Sequence, residues 1–271
     1  MSATPSSGQS SAPIPFTKAS ACGNDFLLVQ AEHVFGDLPA LTRRLCDRHR
    51  GVGADGVEWL FSDAEADVKA RLINADGSEA EISGNGTRCV AAQICSQQKN
   101  KTEVGVRTGA GLKTCQLTGR QGQTFEFETE MGPPEVGGEL SIETMWVRAI
   151  GVRVSMGNPH FVIFVENFPD GWQRQAGLIQ TQPQFPQGTN VEYVAVRGAN
   201  EIEIRLFERG VGETESSGTG SCASAVAAIA SGRVKSPVKV VAPGGAQTVR
   251  WQNEVYLQGP ATIICQGEFF I

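Results

Sequence analysis

Two serines, Ser83 and Ser217, each open the same short signature, Ser-Gly-x-Gly, followed by a run of small and apolar residues. A helix that starts this way presents unpaired N–H groups and the positive end of its dipole, an arrangement suited to an anion. Glycine lets a ligand come close to that backbone. A serine just before it is either a helix cap or a group that meets the ligand. One copy alone would read as a capping turn. Here the signature sits inside a longer repeat. Arg71–Gly86 (RLINADGSEAEISGNG) aligns without a gap with Arg205–Gly220 (RLFERGVGETESSGTG), at an offset of 134 residues. The same offset carries Gly23-Asn24 onto Gly157-Asn158, each followed by an apolar run. Two separate motifs with one period describe a duplicated half. Two equivalent loops facing each other would bracket one small anionic ligand.

Other residues with chemical potential are few. Asn74 and Glu208 hold equivalent places, each nine residues before its serine. His160 follows a Pro turn and reads equally well as a structural histidine. Gly51–Gly56 spells GxGxxG, but a dinucleotide site needs a strand before it and a helix after. The pattern here is the reverse, so a glycine-rich turn is expected. No GK[ST] follows either Ser-Gly-x-Gly loop, against a nucleotide P-loop. The seven cysteines show no CxxC or metal-ligand spacing, which points to a reduced, cytoplasmic setting and to no metal site. A net charge of −6 argues against nucleic acid or an anionic membrane as partner. No stretch approaches the ~20 apolar residues of a membrane span. Residues 1–13 are dominated by Ser, Ala and Pro, with neither a basic nor an apolar region, and are expected to be a disordered tail.

The elements that must hold these groups follow from patterning. Asp25–Gln30, Val57–Phe61 and Val68–Ile73 read as strands. Asp37 is a plausible N-cap for a short helix carrying Leu38, Leu41 and Leu45. Gly84–Gln98 and Gly218–Ser231 are apolar nearly all round, which marks buried helices, the second stopped by Gly232. Strand character recurs at Glu103–Thr108, Thr124–Glu128, Val147–Ser155, Val191–Val196, Glu201–Phe207, Val238–Val241, Val255–Leu257 and Thr262–Cys265. The expected class is α+β, with two pseudo-symmetric domains and the site in the cleft between them. Each domain is a curved, mostly antiparallel sheet or barrel wrapped around one buried helix. The boundaries are placed at 14–130 and 131–261, hinged at Gly132-Pro133-Pro134, with about 262–271 returning to the first half.

The motifs GNDF (Gly23–Phe26), NADGSE (Asn74–Glu79), GNGTRC (Gly84–Cys89), MGNPH (Met156–His160), TNVEYV (Thr189–Val194) and ERGVGET…GTG (Glu208–Gly220) occur in this order. The chain thereby resembles the diaminopimelate epimerases from about Phe16 to its C-terminus. The resemblance implies an isomerase of lysine and cell-wall precursor biosynthesis that needs no pyridoxal phosphate or other cofactor. It would interconvert LL- and meso-2,6-diaminopimelate at one α-carbon, with the small amino acid as its partner and a homodimer as its candidate assembly. It also implies that Asn24, Asn74, Asn158, Asn190, Glu208 and Arg209 hold the substrate's polar ends. Gly84-Asn85 and Gly218-Thr219 would offer N–H groups to the α-carboxylate, where preorganised donors stabilise the charge that develops as the α-proton leaves. His160 and Glu208 would flank the reacting centre.

The chain departs from the family at the two catalytic positions, and nearby at Ala21-Cys22 and Ser216, where relatives usually have other residues. The family has cysteines where Ser83 and Ser217 stand, one thiolate removing the proton and the opposite thiol returning another. A thiol titrates near ~8.5, and a helix terminus lowers that into the working range. A hydroxyl starts far higher and is a weak base unless another group activates it. Epimerisation is therefore expected to be very slow or absent. Three routes are open: a substitution that traps ligand, serines assisted by His160 and Glu208, or a scaffold that binds without turnover. Cys22, beside Gly23, is a candidate displaced thiol, while Cys89 and Cys222 are expected in the core.

Overall fold

The computed structural model describes residues 12–34, 36–145 and 148–270, so the expected tail falls outside them as far as Ser11. In the first half, β1 (Ile14–Ala21) and β2 (Asn24–Gln30) form a hairpin over Cys22-Gly23. Gly23 takes φ +87°, and a Cβ there would lie 2.9 Å from the Gly244 Cα, so glycine is required twice over. Helix α1 (Leu38–Cys46) begins at Asp37, whose side chain accepts the Ala40 N–H. The GxGxxG stretch is the turn that leads from α1 into β3 (Gly56–Phe61). There follow β4 (Val68–Asn74), β5 (Glu79–Ala80), α2 (Gly84–Gln97), β6 (Glu103–Thr108), β7 (Gly111–Gln121) and β8 (Thr124–Gly132).

Past Pro133-Pro134 the chain forms β9 (Glu135–Glu143), β10 (Arg148–Ser155), β11 (Pro159–Phe164), α3 (Trp172–Gln180), β12 (Asn190–Gly198), β13 (Glu201–Glu208) and β14 (Gly212–Thr214). It ends with α4 (Gly218–Ala230), β15 (Val238–Ala242), β16 (Gly245–Trp251) and β17 (Val255–Phe269). The offset seen in the motifs governs the elements too. It carries α1 onto α3 residue for residue. It also carries the parallel pair β2–β3, with Phe26 opposite Gly56, onto β11–β12, with His160 opposite Asn190. The pairs β4–β6 and β13–β15 are likewise both parallel, and the other pairings are antiparallel.

Each buried helix has its own core. Around α2, Cys89, Val90, Ala91 and Ala92 pack with Phe26, Leu28, Leu72, Phe125 and Phe127. Around α4, Ala223, Val226 and Ala227 pack with Val162, Ile204, Leu206 and Val249. The outer helices seal the opposite faces of the strands, α1 over Trp59 and Ile73, α3 over Phe161 and Tyr193. The architecture is α+β, a pseudo-symmetric duplication of sheet wrapped on helix. Strand β17 joins the two: it pairs with β16, β8 and β1 in turn. It gives Val255 and Leu257 to the α4 core and Ala261 to the α2 core.

Several elements differ from the expectation. Val255–Leu257 and Thr262–Cys265 are one strand, because Gly259-Pro260 continues the pairing with Phe127 and Glu126 rather than breaking it. Residue 147, the expected start of β10, lies outside the described residues. Strands β7, β9 and β16 and helix α3 carry mixed polar patterns that pass unread as periodicity, since β7 and β9 are exposed along most of their length. No cysteine is paired, and all but Cys265 are buried. None of the described helices is long and apolar enough to cross a membrane.

Candidate active site

Ser83 and Ser217 are both N-caps, in the same extended backbone conformation (φ −124°, ψ 122° and φ −145°, ψ 128°). Ser83 Oγ accepts the Gly86 N–H at 3.1 Å and Ser217 Oγ accepts the Gly220 N–H at 3.3 Å. The capping reading and the site reading are therefore compatible, because each hydroxyl keeps its own proton free to donate. Ser217 uses it, donating to Glu208 Oε2 at 3.2 Å. The two helix starts meet, and a Cβ on Gly218 would stand 3.9 Å from the Gly84 Cα. Across that junction Asn85 Nδ2 donates to Ser216 Oγ at 2.6 Å and to Asn24 Oδ1 at 2.8 Å.

The surrounding polar groups are held by their own half. In the first, Asn24 Nδ2 donates to Asp55 at 3.1 Å, and Asp55 with Asp25 is clamped by Arg48. Asn74, at the end of β4, donates to Ser78 Oγ at 3.0 Å. In the second half, Asn190 donates to the Pro159 carbonyl at 2.9 Å and accepts the Arg209 N–H at 2.9 Å. Arg209 thus enters through its backbone, while its guanidinium turns outward to the Gln187 carbonyl at 3.1 Å. Asn158 Nδ2 reaches Thr219 Oγ1 at 3.5 Å, and its Oδ1 meets His160 Nε2 at 3.0 Å. His160 Nδ1 lies 2.7 Å from Glu192 Oε1. Both ring nitrogens of this buried histidine are taken, so it orients Asn158 and, through it, the α4 terminus.

Two buried carboxyls escaped the sequence reading. Glu58 on β3 and Glu192 on β12 are related by the offset of 134, which was the available signal. Each lies against the second glycine of its helix. A Cβ on Gly86 would collide with Glu58 Oε1, and one on Gly220 would fall 3.1 Å from Glu192 Oε1. Glycine leaves room there for a carboxyl, besides any ligand. Burial raises the pKa of Glu192, with His160 opposing that rise. Burial alone pushes Glu58 up to about 8, and it has no hydrogen-bond partner among the described residues.

Cys22 is buried, with φ +48°, and its Sγ accepts from Arg88 Nη2 at 3.8 Å. Burial raises its pKa against the opposing Arg88 charge, so it rests as a thiol. Cys89 and Cys222 are core residues, as expected. Arg88, which the sequence reading passed over, is fully buried between Asn85, Cys22 and the Pro260 carbonyl.

A family profile described as diaminopimelate epimerase matches residues 16–136 and 152–264. Among curated relatives, the diaminopimelate epimerase of Pelotomaculum thermopropionicum is 40% identical over 94% of this chain and 98% of its own. That of Moorella thermoacetica is 38% identical over the same shares of each chain. Solved structures of similar fold include a PhzF-family phenazine biosynthesis protein from Bacillus anthracis (TM-score 0.74, 15% identity, 96% of this chain and 100% of that one). A hydroxyproline epimerase from Agrobacterium vitis, with bound trans-4-hydroxy-L-proline, gives a TM-score of 0.71 at 18% identity, over 94% of this chain and 90% of that one.

Proposed function

The chain belongs to the diaminopimelate epimerase family, and on that premise we propose that it binds diaminopimelate between the starts of α2 and α4 and moves a proton at the ligand's α-carbon. The observation that carries this reading is the meeting of two serine-capped helix termini, bridged by Asn85 and Ser216. The α-carboxylate would lie on the N–H groups of Gly84-Asn85 and Gly218-Thr219. Asn24, Asn74, Asn158, Asn190, Glu208 and Arg209 would hold the remaining polar ends.

Proton transfer differs between the two faces. On the α4 face, Ser217 Oγ can take the α-proton while its own proton passes to Glu208, the contact already made at 3.2 Å. On the α2 face, Ser83 has Asn74 where Ser217 has Glu208, and an amide accepts no proton. Inversion needs a base on one face and an acid on the other, each poised near the working pH. The native chain should therefore invert its substrate very slowly, with exchange confined largely to the Ser217 side. Calorimetry with meso-diaminopimelate, lysine and glutamate tests the ligand; equal binding of all three, or of none, refutes it. Deuterium incorporation and stereochemistry in the native chain, Ser83→Cys, Ser217→Cys and the double variant test the chemistry. Only the double variant should invert at an enzymic rate, and full turnover by the native chain would overturn this account.

A further inference from the structure

Glu58 has no part in the reading above, yet it is a buried carboxyl against the first turn of α2. It sits on β3 between Leu28 of β2 and Leu72 of β4, is 3% exposed, and lies against Gly86 in the first turn of α2. Its duplicate, Glu192, lies against Gly220 in the same way but has His160 at 2.7 Å. The residue equivalent to His160 in the first half is Phe26, which has no proton to give. The neighbouring elements offer no counter-charge either. Asp25 of β2 is engaged by Lys18 and Arg48, Arg71 of β4 by Glu79, and Lys69 makes no ion pair with Glu58. On α2 itself, Arg88 turns to Asn85 and Cys22, and Cys89 is a buried thiol whose pKa Glu58 helps to raise. A carboxyl so placed keeps its proton at neutral pH.

We propose that Glu58 is a positioning residue of the binding site: as a neutral carboxyl it leaves the α2 terminus to the ligand's carboxylate, and once ionised it sets a fixed negative charge against the first turn of that helix, opposing the ligand's own. The inference rests on the ligand placement proposed above. The two faces then differ in kind. The α4 face has its buried carboxyl hydrogen-bonded to a histidine, whereas the α2 face depends on a retained proton. Loss of that proton puts a fixed negative charge into the helix-terminus field that otherwise attracts the ligand. A ligand that binds only the protonated form loses affinity in proportion to that form's population, about tenfold per pH unit above the titration point.

The test is calorimetry of meso-diaminopimelate between pH 6 and pH 9.5, with the native chain, Glu58→Gln and Glu58→Leu. The native affinity should fall by about tenfold per unit beyond pH ~8, while both variants keep the low-pH native affinity with no such fall. Titration of the ligand's own amines is common to all three proteins and cancels in the comparison. Parallel pH curves for native and variant proteins would overturn the proposal. Infrared difference spectra of native against Glu58→Gln supply a reading that needs no ligand. A protonated carboxyl band persisting at pH 7 supports the proposal, and a carboxylate band there overturns it. Absence of binding by every protein at every pH would refute the functional reading, and with it the role given to Glu58. The infrared result would still report that group's proton.

Discussion

Two buried carboxyls dominate at the scale of single residues, and they differ by one partner. Glu58 titrates near 8 in the folded chain against an ordinary value near 4.5. Between those values the folded state holds a proton that the unfolded state has released. Folding stability must then fall as pH rises through this window, by up to about 1.4 kcal/mol per unit, and level off above it. Denaturant midpoints at pH 5, 6.5 and 8 should show the decline, and Glu58→Gln should flatten it relative to the native chain. Glu192 is the contrasting case. Replacing His160 with Leu leaves a buried acid without its hydrogen-bond partner, at a cost of about 1–3 kcal/mol. Adding Glu192→Leu to that variant should recover much of the loss, which a double-mutant cycle on unfolding free energies would measure.

At the scale of elements, the helix starts show how much of the molecule was legible beforehand. The offset of 134 gave the duplication and the equivalence of Ser83 and Ser217, because identical residues at one spacing need no periodicity, while the two buried helices followed from runs that are apolar nearly all round. The same offset also relates α3 to α1 and Glu192 to Glu58, equivalences that no local pattern marks. Strands β7 and β9 were hidden for a physical reason: they pair without burying one face, so their side chains carry little alternation. The partners of His160 were also out of reach, since the parallel register of β11 on β12 brings it to Glu192 from a distant stretch of chain. The caps give a direct prediction. Ser83→Ala and Ser217→Ala should each lower stability by about 1 kcal/mol, seen as similar shifts in melting temperature. Gly86→Ala should also destabilise, although alanine favours helix, because its Cβ would collide with Glu58 Oε1 and displace that buried carboxyl.

At the scale of the whole molecule, β17 ties two cores that would otherwise be separate. It hydrogen-bonds to β16, β8 and β1 and places side chains in both interiors. The halves should therefore melt as one transition, with calorimetric and van't Hoff enthalpies in agreement. Truncation after Pro260 removes the pairing with β1 and the Ala261 side chain from the α2 core. It should lower the melting temperature and resolve two transitions, with the α2 half unfolding first. A single undivided transition in the truncated chain would show that the α2 half does not depend on this strand.

The distribution of sulfur has a practical corollary. Cys265, on that same strand, is the one exposed thiol of seven. An alkylating or chromogenic thiol reagent should consume one equivalent quickly and the other six only as the chain opens. Blocking Cys265 first makes the folded protein silent to such a reagent. Any fast signal from a Ser83→Cys or Ser217→Cys chain then comes from the introduced sulfur alone. Its rate as a function of pH reads the thiolate fraction at each helix start separately, and protection by added ligand locates binding on one face or the other.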